Sequence, residues 1–312
     1  MNIRDFCSDF EKKIGRPVEK GVLLSRYSNF RIGGEADLFF EAGSLFQLKK
    51  SIELARQHSI PFYLIGGGYN LLFDDQGFRG LIIKNSVKGI KLLSSNEVEV
   101  LAGTSLEGFL TFLEEHSFSG FEFLAGIPGS VGGALFGNAG AFNRSVGEFM
   151  LRAVVLDREG RERTVDRDSF RFQYRKSILQ EKHETLLVAV FSLHKGERQR
   201  IRERIERNLK KRVSKHPPPG TACAGSYFKN PVLPDGRKLA AGELLERAGA
   251  KGLRVGGATV FPGHANFIVN QGGATARDVL ELARLLKEKV REEFGIQLEE
   301  EVIFLPATSS MP

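Results

Sequence analysis

Two glycine-rich segments constrain the fold of this chain more than any other feature of its 312 residues. The first is the triple glycine Gly66, Gly67 and Gly68, which directly follows a short apolar run at 62–65 that is typical of a strand. Glycine allows left-handed backbone conformations and a close approach of the backbone to a ligand. Consecutive amide groups in such a turn can bind phosphate oxygens. The segment therefore predicts either a plain turn or a phosphate site.

The second glycine-rich segment covers 126–133 and is followed by Asn138, Ala139 and Gly140. It is too rich in glycine for a helix interior and too long for a tight turn, so we expect an irregular, buried backbone beside a large phosphate-bearing ligand. Neither segment has the Gly-Lys-Ser/Thr ending of a P-loop, and the glycine spacing is not that of the dinucleotide fingerprint. Together the segments favour pyrophosphate binding by another fold.

Periodicity and capping signals predict the remaining elements. Ser44 with Gln47, and Thr275 with Asp278, have the spacing of capping boxes. The run at 217–220, three prolines and a glycine, cannot continue a helix, so we place a domain boundary there. The predicted helices are 44–59, 105–115, 196–215, 241–250 and 275–295; the predicted strands are 62–65, 81–84, 97–101, 153–157, 186–193, 258–261, 266–270 and 297–305.

Charge and cysteine content exclude several classes of protein. The net charge is +7, and the basic helix at 196–215 is interpreted as a solvated face with opposite-charge neighbours, with small polyanions and nucleic acid as alternatives. Two cysteines exclude a disulfide scaffold and a four-cysteine zinc site, and the six histidines show no metal-ligand spacing. No apolar stretch is long enough for a membrane span, and the N-terminus lacks the apolar core of a secretory signal. We therefore expect a cytoplasmic location.

Several motifs, in register along the chain, resemble the UDP-N-acetylenolpyruvoylglucosamine reductase family. They include both glycine segments with Asn70 and Leu71, and Tyr174-Arg175-x-Ser177. The others are Asn29-Phe30-Arg31-Ile32-Gly33-Gly34, Ala224-Gly225-Ser226-x-Phe228-Lys229-Asn230-Pro231 and Glu301-Val302. Only a short strand connection is predicted between Arg175 and Leu186, which resembles the shorter form of the family that lacks a loop carrying a substrate-binding tyrosine.

The resemblance implies an α+β chain with a two-subdomain FAD-binding fold of the vanillyl-alcohol oxidase and p-cresol methylhydroxylase type. The FAD domain would cover 1–215, with subdomains at about 22–86 and 87–215. An α+β substrate domain would cover 216–312, and we leave open that its last strand returns to the FAD domain. The resemblance assigns cofactor contacts to Arg31, Gly66, Gly67, Gly68, Tyr69, Asn70, Leu71, Gly126, Ile127, Pro128, Gly129, Ser130, Gly132, Gly133, Asn138, Ala139 and Gly140.

The implied reaction is the reduction of UDP-N-acetyl-3-O-(1-carboxyvinyl)-glucosamine to UDP-N-acetylmuramate by NADPH and FAD, in bacterial peptidoglycan synthesis. Hydride from the flavin N5 would add to the vinyl methylene, so negative charge builds on the next carbon and its carboxylate. Arg175 suits that carboxylate, because a guanidinium stays charged and donates two hydrogen bonds. Ser226 would protonate the carbon. Glu301, kept protonated by burial, would donate to the oxyanion, although strand periodicity alone does not choose between Glu299, Glu300 and Glu301.

Lys215, Lys229, Asn230 and His264 are the expected contacts to the UDP-sugar. His264 stands where the family often has glutamine, and Tyr69 where it usually has serine. We expect no metal, no nucleic-acid partner and no membrane span, and leave the oligomeric state open, with a monomer compatible. Two other hypotheses stay open at this point: an oxidase of the same fold that passes electrons to oxygen, and a nucleotide or nucleic-acid binder that uses the basic helix.

Overall fold

The computed structural model describes residues 3–182 and 184–308 and mixes helices with strands throughout. This content confirms the α+β class. The helices are α1 (Ile3–Ile14), α2 (Leu45–Gln57), α3 (Leu106–Glu115), α4 (Val131–Phe136), α5 (Leu179–Lys182), α6 (Arg198–Val213), α7 (Ala241–Arg247) and α8 (Ala276–Phe294). The strands are β1 (Glu19–Leu23), β2 (Glu35–Ala42), β3 (Phe62–Ile65), β4 (Leu71–Phe73), β5 (Phe78–Asn85), β6 (Ile90–Leu92), β7 (Glu97–Leu101), β8 (Phe118–Ser119), β9 (Gly140–Ala141), β10 (Arg144–Ser145), β11 (Met150–Leu156), β12 (Glu162–Asp166), β13 (Thr185–Ser192), β14 (His194–Lys195), β15 (Arg254–Val255), β16 (Ala258–Val260), β17 (Ile268–Asn270) and β18 (Ile303–Leu305).

The first sheet has the strand order β1-β2-β5-β3, with β2 and β3 parallel to β5 and β1 antiparallel at the edge. Its adjacent residues Phe39 and Phe40 are both buried, although neighbours along a strand point to opposite faces. Phe40 packs with α1 and α2, whereas Phe39 packs with β4 and β18. The sheet is therefore covered on both faces, which explains its nearly continuous apolar central strands.

The second sheet is antiparallel, in the order β12-β11-β13-β7-β6, and packs against α3 and α4. Phenylalanine fills this core: the ring of Phe109 lies 5.1 Å from that of Phe121 and 5.3 Å from that of Phe191. Leu156 and Leu187 of this sheet pack into the cluster that contains α1 and α2, so the first two sheets share buried surface.

The third sheet, β15-β16-β17, packs with α7 and α8. The predicted beginning and end of α8 are confirmed, because Thr275 and Asp278 form a capping box and Gly295 ends the helix with φ +67°. The apolar core of this region also includes Phe30, Ile32 and Leu72 from the N-terminal half of the chain. The division into domains at 215 and 216 stays a prediction.

The last strand joins the two halves of the chain. Strand β18 pairs in parallel with β4, which directly follows the first glycine segment. It is shorter than the predicted 297–305, because the backbone of 299–301 bonds to 227–229 instead: Lys229 N donates to Glu299 O, and Glu301 N donates to Tyr227 O, both at 2.8 Å. Glu301 thus lies just before the strand rather than within it.

Three other predictions are corrected. The second glycine segment does contain a helix, α4, because the Ser130 side chain caps it and its amides at 131 and 132 bond to the segment before α3. A helix, α5, lies in the connection after Arg175 that was taken as strand. The Gln47 side chain accepts from Gly43 N rather than from Ser44 N, so only half of that capping box forms.

The sequence analysis also missed α1, β1 and β2. Helix α1 carries buried Phe6, Phe10 and Ile14 at four-residue spacing, a signal that could have found it. Within residues 3–182 and 184–308, no helix combines the length and the apolar composition that crossing a membrane requires.

Candidate active site

The two glycine segments lie side by side. A Cβ atom built on Gly66 would lie 2.6 Å from Ser130 Oγ, and one built on Gly67 would lie 3.7 Å from the Cα atom of Gly129. Only residues without side chains allow backbones to approach this closely. Segments that are far apart in the sequence therefore form one continuous surface.

This surface presents free amide groups. Within the part of the chain that the structure describes, the amides of residues 67–70, and those of Gly129 and Ser130, donate no hydrogen bond. Residues 67, 69 and 70 are exposed. The amides of Gly132 and Gly133 donate to Ala102 O and Ser130 Oγ, and the predicted cofactor contacts of these two residues stay predictions. The open amides, which extend to Ser130, are therefore suited to binding an anion.

Arg175 lies in a tight turn at 173–176. Gln173 and Lys176 exchange backbone hydrogen bonds of 3.0 and 3.2 Å across this turn. Arg175 adopts φ +56°, a left-handed conformation that costs an ordinary residue about 1–2 kcal/mol. Such strain persists only where the surrounding structure enforces it, and it is frequent at functional sites.

The Arg175 side chain reaches Glu301. Arg175 Nε lies 2.6 Å from Glu301 Oε1, and the two side chains are only 22% and 23% exposed. The Nε–H group does not point along this contact as a hydrogen bond requires, so the contact is an ion pair. A carboxylate that belongs to a ligand could replace that of Glu301 on the same guanidinium.

The environment of Glu301 makes its carboxyl a weaker acid than that of an exposed glutamate. Burial raises the pKa of the Glu301 carboxyl, and the nearby charges of Arg175 and Lys229 oppose this effect without cancelling it. The group therefore retains its proton to a higher pH than an exposed glutamate does. A protonated carboxyl can donate a hydrogen bond to an oxyanion.

The segment that carries Ser226 bonds to the backbone of Glu301. The next residue, Tyr227, accepts a hydrogen bond from Glu301 N, and Asn70 Nδ2 donates to Glu301 O at 2.9 Å. Ser226 is half-buried and follows Gly225, whose φ of +77° makes the turn. The structure thus brings the first glycine segment and the three predicted catalytic residues to one place.

The predicted substrate contacts are less uniform. Lys229 Nζ lies 3.2 Å from Glu299 Oε2, and Lys215 is exposed. Asn230 Oδ1 accepts a hydrogen bond from Ala241 N at 3.0 Å and so caps the start of α7. The Asn230 side-chain oxygen therefore already has a partner within the protein.

Two further predicted residues have protein partners. Arg31 Nη2 donates to Gly220 O at 3.0 Å, which attaches its segment to the proline-rich connection. His264 Nδ1 accepts from Asn266 N, and its ring lies 5.7 Å from the ring of His216 in an edge contact. The predicted ligand contacts of Arg31 and His264 stay predictions.

The partly buried imidazole of His216 should make the folded protein less stable in acid. Burial, with smaller effects of Arg212, His264 and Lys215, lowers the pKa of His216 from 6.5 to about 4. Between these values the unfolded chain binds more protons, so the free energy of unfolding falls as the pH falls from 6.5 towards 4. His216→Gln should flatten this dependence in melting temperatures measured across the range. Exposed His194→Gln is the control, and an unchanged slope in His216→Gln would contradict the assignment.

Comparison with known proteins identifies the family. Residues 217–305 match the model for the C-terminal domain of UDP-N-acetylenolpyruvoylglucosamine reductase, and 36–166 match an FAD binding domain. The reductase of Chlamydia trachomatis serovar L2 is 38% identical over 93% of this chain and 96% of its own. That of Bacillus velezensis is 37% identical over 94% and 95%. The chain belongs to the UDP-N-acetylenolpyruvoylglucosamine reductase family.

A solved structure of this family agrees in fold. The crystal structure of the Thermus caldophilus UDP-N-acetylenolpyruvylglucosamine reductase superposes with a TM-score of 0.78 and 32% identity, and covers 93% of this chain and 99% of that one. The chain is thus an oxidoreductase with the two-part fold expected from the sequence: an FAD-binding region and the C-terminal domain of the reductase family.

The glycine surface suits the diphosphate of FAD. The match to the FAD binding domain includes both glycine segments, and the open amides at 67–70 and 129–130 offer donors to phosphate oxygens. The residues present therefore fit the cofactor that membership of the reductase family implies.

Arg212 is a site residue that the sequence analysis missed. Its Nε donates to Ala125 O at 3.1 Å, and its Cδ would lie 3.0 Å from a Cβ atom on Gly126. Burial lowers the pKa of its guanidinium, and the charge of Arg175 adds to this effect. Arg212 continues the apolar stripe of α6 from Ile201 and Ile205, and this position could have revealed it.

Alanine at Gly68 should disrupt cofactor binding. The new Cβ would overlap the carbonyl oxygen of Tyr27, and φ +69° is unfavourable for alanine, so the first glycine segment must move. We expect FAD affinity, measured by flavin fluorescence titration, to fall at least about tenfold. Gly160→Ala is the matched control, because its φ is +81° and a Cβ there meets nothing within 4 Å. Unchanged FAD affinity in Gly68→Ala would contradict the placement of the cofactor.

Proposed function

We propose that this chain reduces UDP-N-acetyl-3-O-(1-carboxyvinyl)-glucosamine to UDP-N-acetylmuramate with NADPH, a step of peptidoglycan synthesis. The single observation that carries the proposal is the partly buried ion pair of Arg175 and Glu301, which lies next to the segment that carries Ser226 and to the first glycine segment. Family membership supports the same substrate. Bound FAD, once reduced, supplies the hydride that adds to the vinyl methylene carbon.

Arg175 binds the carboxylate of the substrate. Addition of hydride to the methylene leaves negative charge on the neighbouring carbon, and the carboxylate delocalises it. A fixed guanidinium stabilises this charge more strongly in the transition state than in the ground state, because the charge on the carboxylate grows. The turn at 173–176 holds the arginine backbone in its strained conformation before the substrate arrives.

Ser226 delivers the proton that completes the reduction. A hydroxyl is a weak acid, but an enolate carbon is a strong enough base to take its proton, provided that the two are in contact. Gly225 and the backbone bond of Tyr227 to Glu301 fix the position of the segment that carries this hydroxyl. Ser226 then regains a proton from water.

Glu301 stabilises the oxyanion as a neutral acid. When the substrate carboxylate takes over Arg175, Glu301 loses the cation that opposes the effect of burial on its pKa, so its carboxyl takes up a proton more readily. A protonated Glu301 carboxyl can then donate a hydrogen bond to the enolate. Lys229 and Lys215 are the proposed contacts to the diphosphate of the substrate, and a cytoplasmic location stays a prediction.

Anaerobic spectroscopy of the purified protein tests the proposal. A yellow preparation should lose its 450 nm band, the absorption expected of oxidised flavin, to about baseline with NADPH and regain it with the enolpyruvyl substrate. Recovery of colour in air without that substrate would support an oxidase instead. A colourless preparation that takes up no FAD and binds DNA with a steep salt dependence would support the nucleic-acid hypothesis.

A further inference from the structure

Asn138 has its side chain committed within the protein. It lies just after α4, is only 6% exposed and adopts φ +42°. Its Nδ2 donates to Gln173 O at 2.8 Å, and its Oδ1 accepts from Gly147 N at 3.1 Å. Both ends of the amide are thus bonded to backbone, although the resemblance placed Asn138 among the cofactor contacts.

The backbone oxygen that Asn138 binds belongs to Gln173, the first residue of the turn at 173–176. Gln173 opens the turn at 173–176, in which Arg175 is strained. A second amide side chain approaches from the other side: Gln180 Nε2 donates to Arg175 O at 3.3 Å and to Phe136 O at 2.9 Å. Phe136 is the last residue of α4, so both contacts attach the turn to the helix that follows the second glycine segment.

Strain makes these anchors necessary. A left-handed arginine relaxes to a right-handed or extended conformation when its surroundings allow it, and the guanidinium then moves. Misplacement of a catalytic group by about 1 Å can slow a reaction by about a hundredfold. An anchor that prevents this movement therefore affects the reaction without touching the substrate.

We propose that Asn138 is a positioning residue, which together with Gln180 holds the turn at 173–176 so that Arg175 stays on the carboxylate of the substrate. The inference rests on the proposed function of Arg175. It assigns to Asn138 no contact with the cofactor.

Asn138→Asp tests this assignment. Aspartate keeps the oxygen that Gly147 N needs and tolerates positive φ, but it replaces the donor to Gln173 O by a second oxygen. We expect reoxidation of the reduced enzyme by the enolpyruvyl substrate to slow at least about tenfold. Calorimetric affinity for UDP-N-acetylmuramate should fall in parallel, whereas bleaching by NADPH and FAD affinity should stay unchanged. Asn143→Asp, at an exposed position with φ +61°, is the matched control and should change neither quantity.

A double-mutant cycle with Arg175→Ala separates positioning from a general structural effect. In that background, Asn138→Asp should cause no further slowing and no further loss of product affinity, because there is no guanidinium left to position. Equal slowing in both backgrounds would overturn the inference. Weakened FAD binding would also overturn it, by restoring Asn138 to the cofactor site.

A variant that does not fold and a parent without the proposed activity can each be distinguished from failure of the positioning role. If Asn138→Asp does not fold, Gln180→Ala, which removes both bonds on the other side of the turn, takes its place in the same cycle with the same expectations. A parent protein that the enolpyruvyl substrate does not reoxidise contradicts the proposed function itself. If the enolpyruvyl substrate reoxidises the parent protein but the effects of the two substitutions in the cycle are additive, only the positioning role is contradicted.

Discussion

Ser226→Ala should leave the bleaching of the flavin by NADPH intact and slow its reoxidation by the enolpyruvyl substrate about 10²–10⁴-fold. The physical reason is that the hydroxyl has no part in the reaction with NADPH, whereas addition of hydride to the substrate goes to completion only when the hydroxyl protonates the resulting enolate carbon. Stopped-flow absorbance of the two half-reactions, each under anaerobic conditions, measures both rates in the same preparation.

The half-buried Ser192, on β13, provides the control. Ser192→Ala should change neither half-reaction, because it lies in the second sheet, away from Glu301 and Tyr227. If Ser226→Ala reoxidises as fast as its parent, Ser226 is not the proton donor. If both half-reactions slow equally, Ser226 instead contributes to the structure of the site.

Arg175→Ala should slow reoxidation by the substrate about 10²–10³-fold, the usual effect of one lost donor to a developing oxyanion, or about 3–4 kcal/mol. The reason is that the substrate carboxylate loses its counter-charge. The pKa of Glu301 also rises further, because Arg175 no longer opposes the effect of burial, but this favours the neutral acid and does not contribute to the slowing. Arg175→Lys should recover only part of the rate, since an ammonium keeps the charge but not the planar pair of donors.

Arg171 offers a matched control four residues before Arg175. It is exposed and also left-handed, with φ +47°, so Arg171→Ala removes a comparable side chain and a comparable backbone strain. It should leave both half-reactions unchanged. A similar loss of rate in Arg171→Ala would show that the net positive charge of the region, rather than the carboxylate contact of Arg175, drives the reaction.

Much of the fold could be predicted because its signals are local. Helix α8 shows the pattern clearly: Thr275 and Asp278 cap it, Gly295 ends it, and its apolar face is buried as the spacing of Val279 and Leu282 predicts. Such signals act between residues within about one or two turns, so one stretch of sequence contains them completely. Strand β13 was found in the same way, from a continuous apolar run.

Two of the errors have a common physical cause. The predicted strand at 297–305 has the right composition, but its first half bonds to 227–229, and only 303–305 reaches β4. The glycine content of 131–136 predicted that no helix forms there, because glycine disfavours helices. The helix forms nonetheless, since its first amides bond to the segment before α3. In both cases a partner distant in sequence decided the outcome.

The same distinction between local signals and contacts with distant segments applies to the candidate site. Its motifs identified Arg175 and Ser226 as candidates, whereas periodicity left three neighbouring glutamates equivalent. In the folded chain each has a different cation: Glu299 pairs with Lys229, Glu300 with Lys287 and Glu301 with Arg175. The bonding partners of Arg212 and Asn138 could be identified only from the structure, because they lie in other segments.

The amino-acid sequence by itself determined the glycine segments, the capped helices, the buried strands and the residue types that the chemistry needs. These depend on backbone freedom and on contacts between near neighbours in the chain. Only the tertiary structure decided which glutamate meets Arg175, which amides stay open and which side chains hold the turn at 173–176. Those outcomes depend on contacts between distant segments, whose geometry is set by the packing of the whole chain rather than by any one stretch of it.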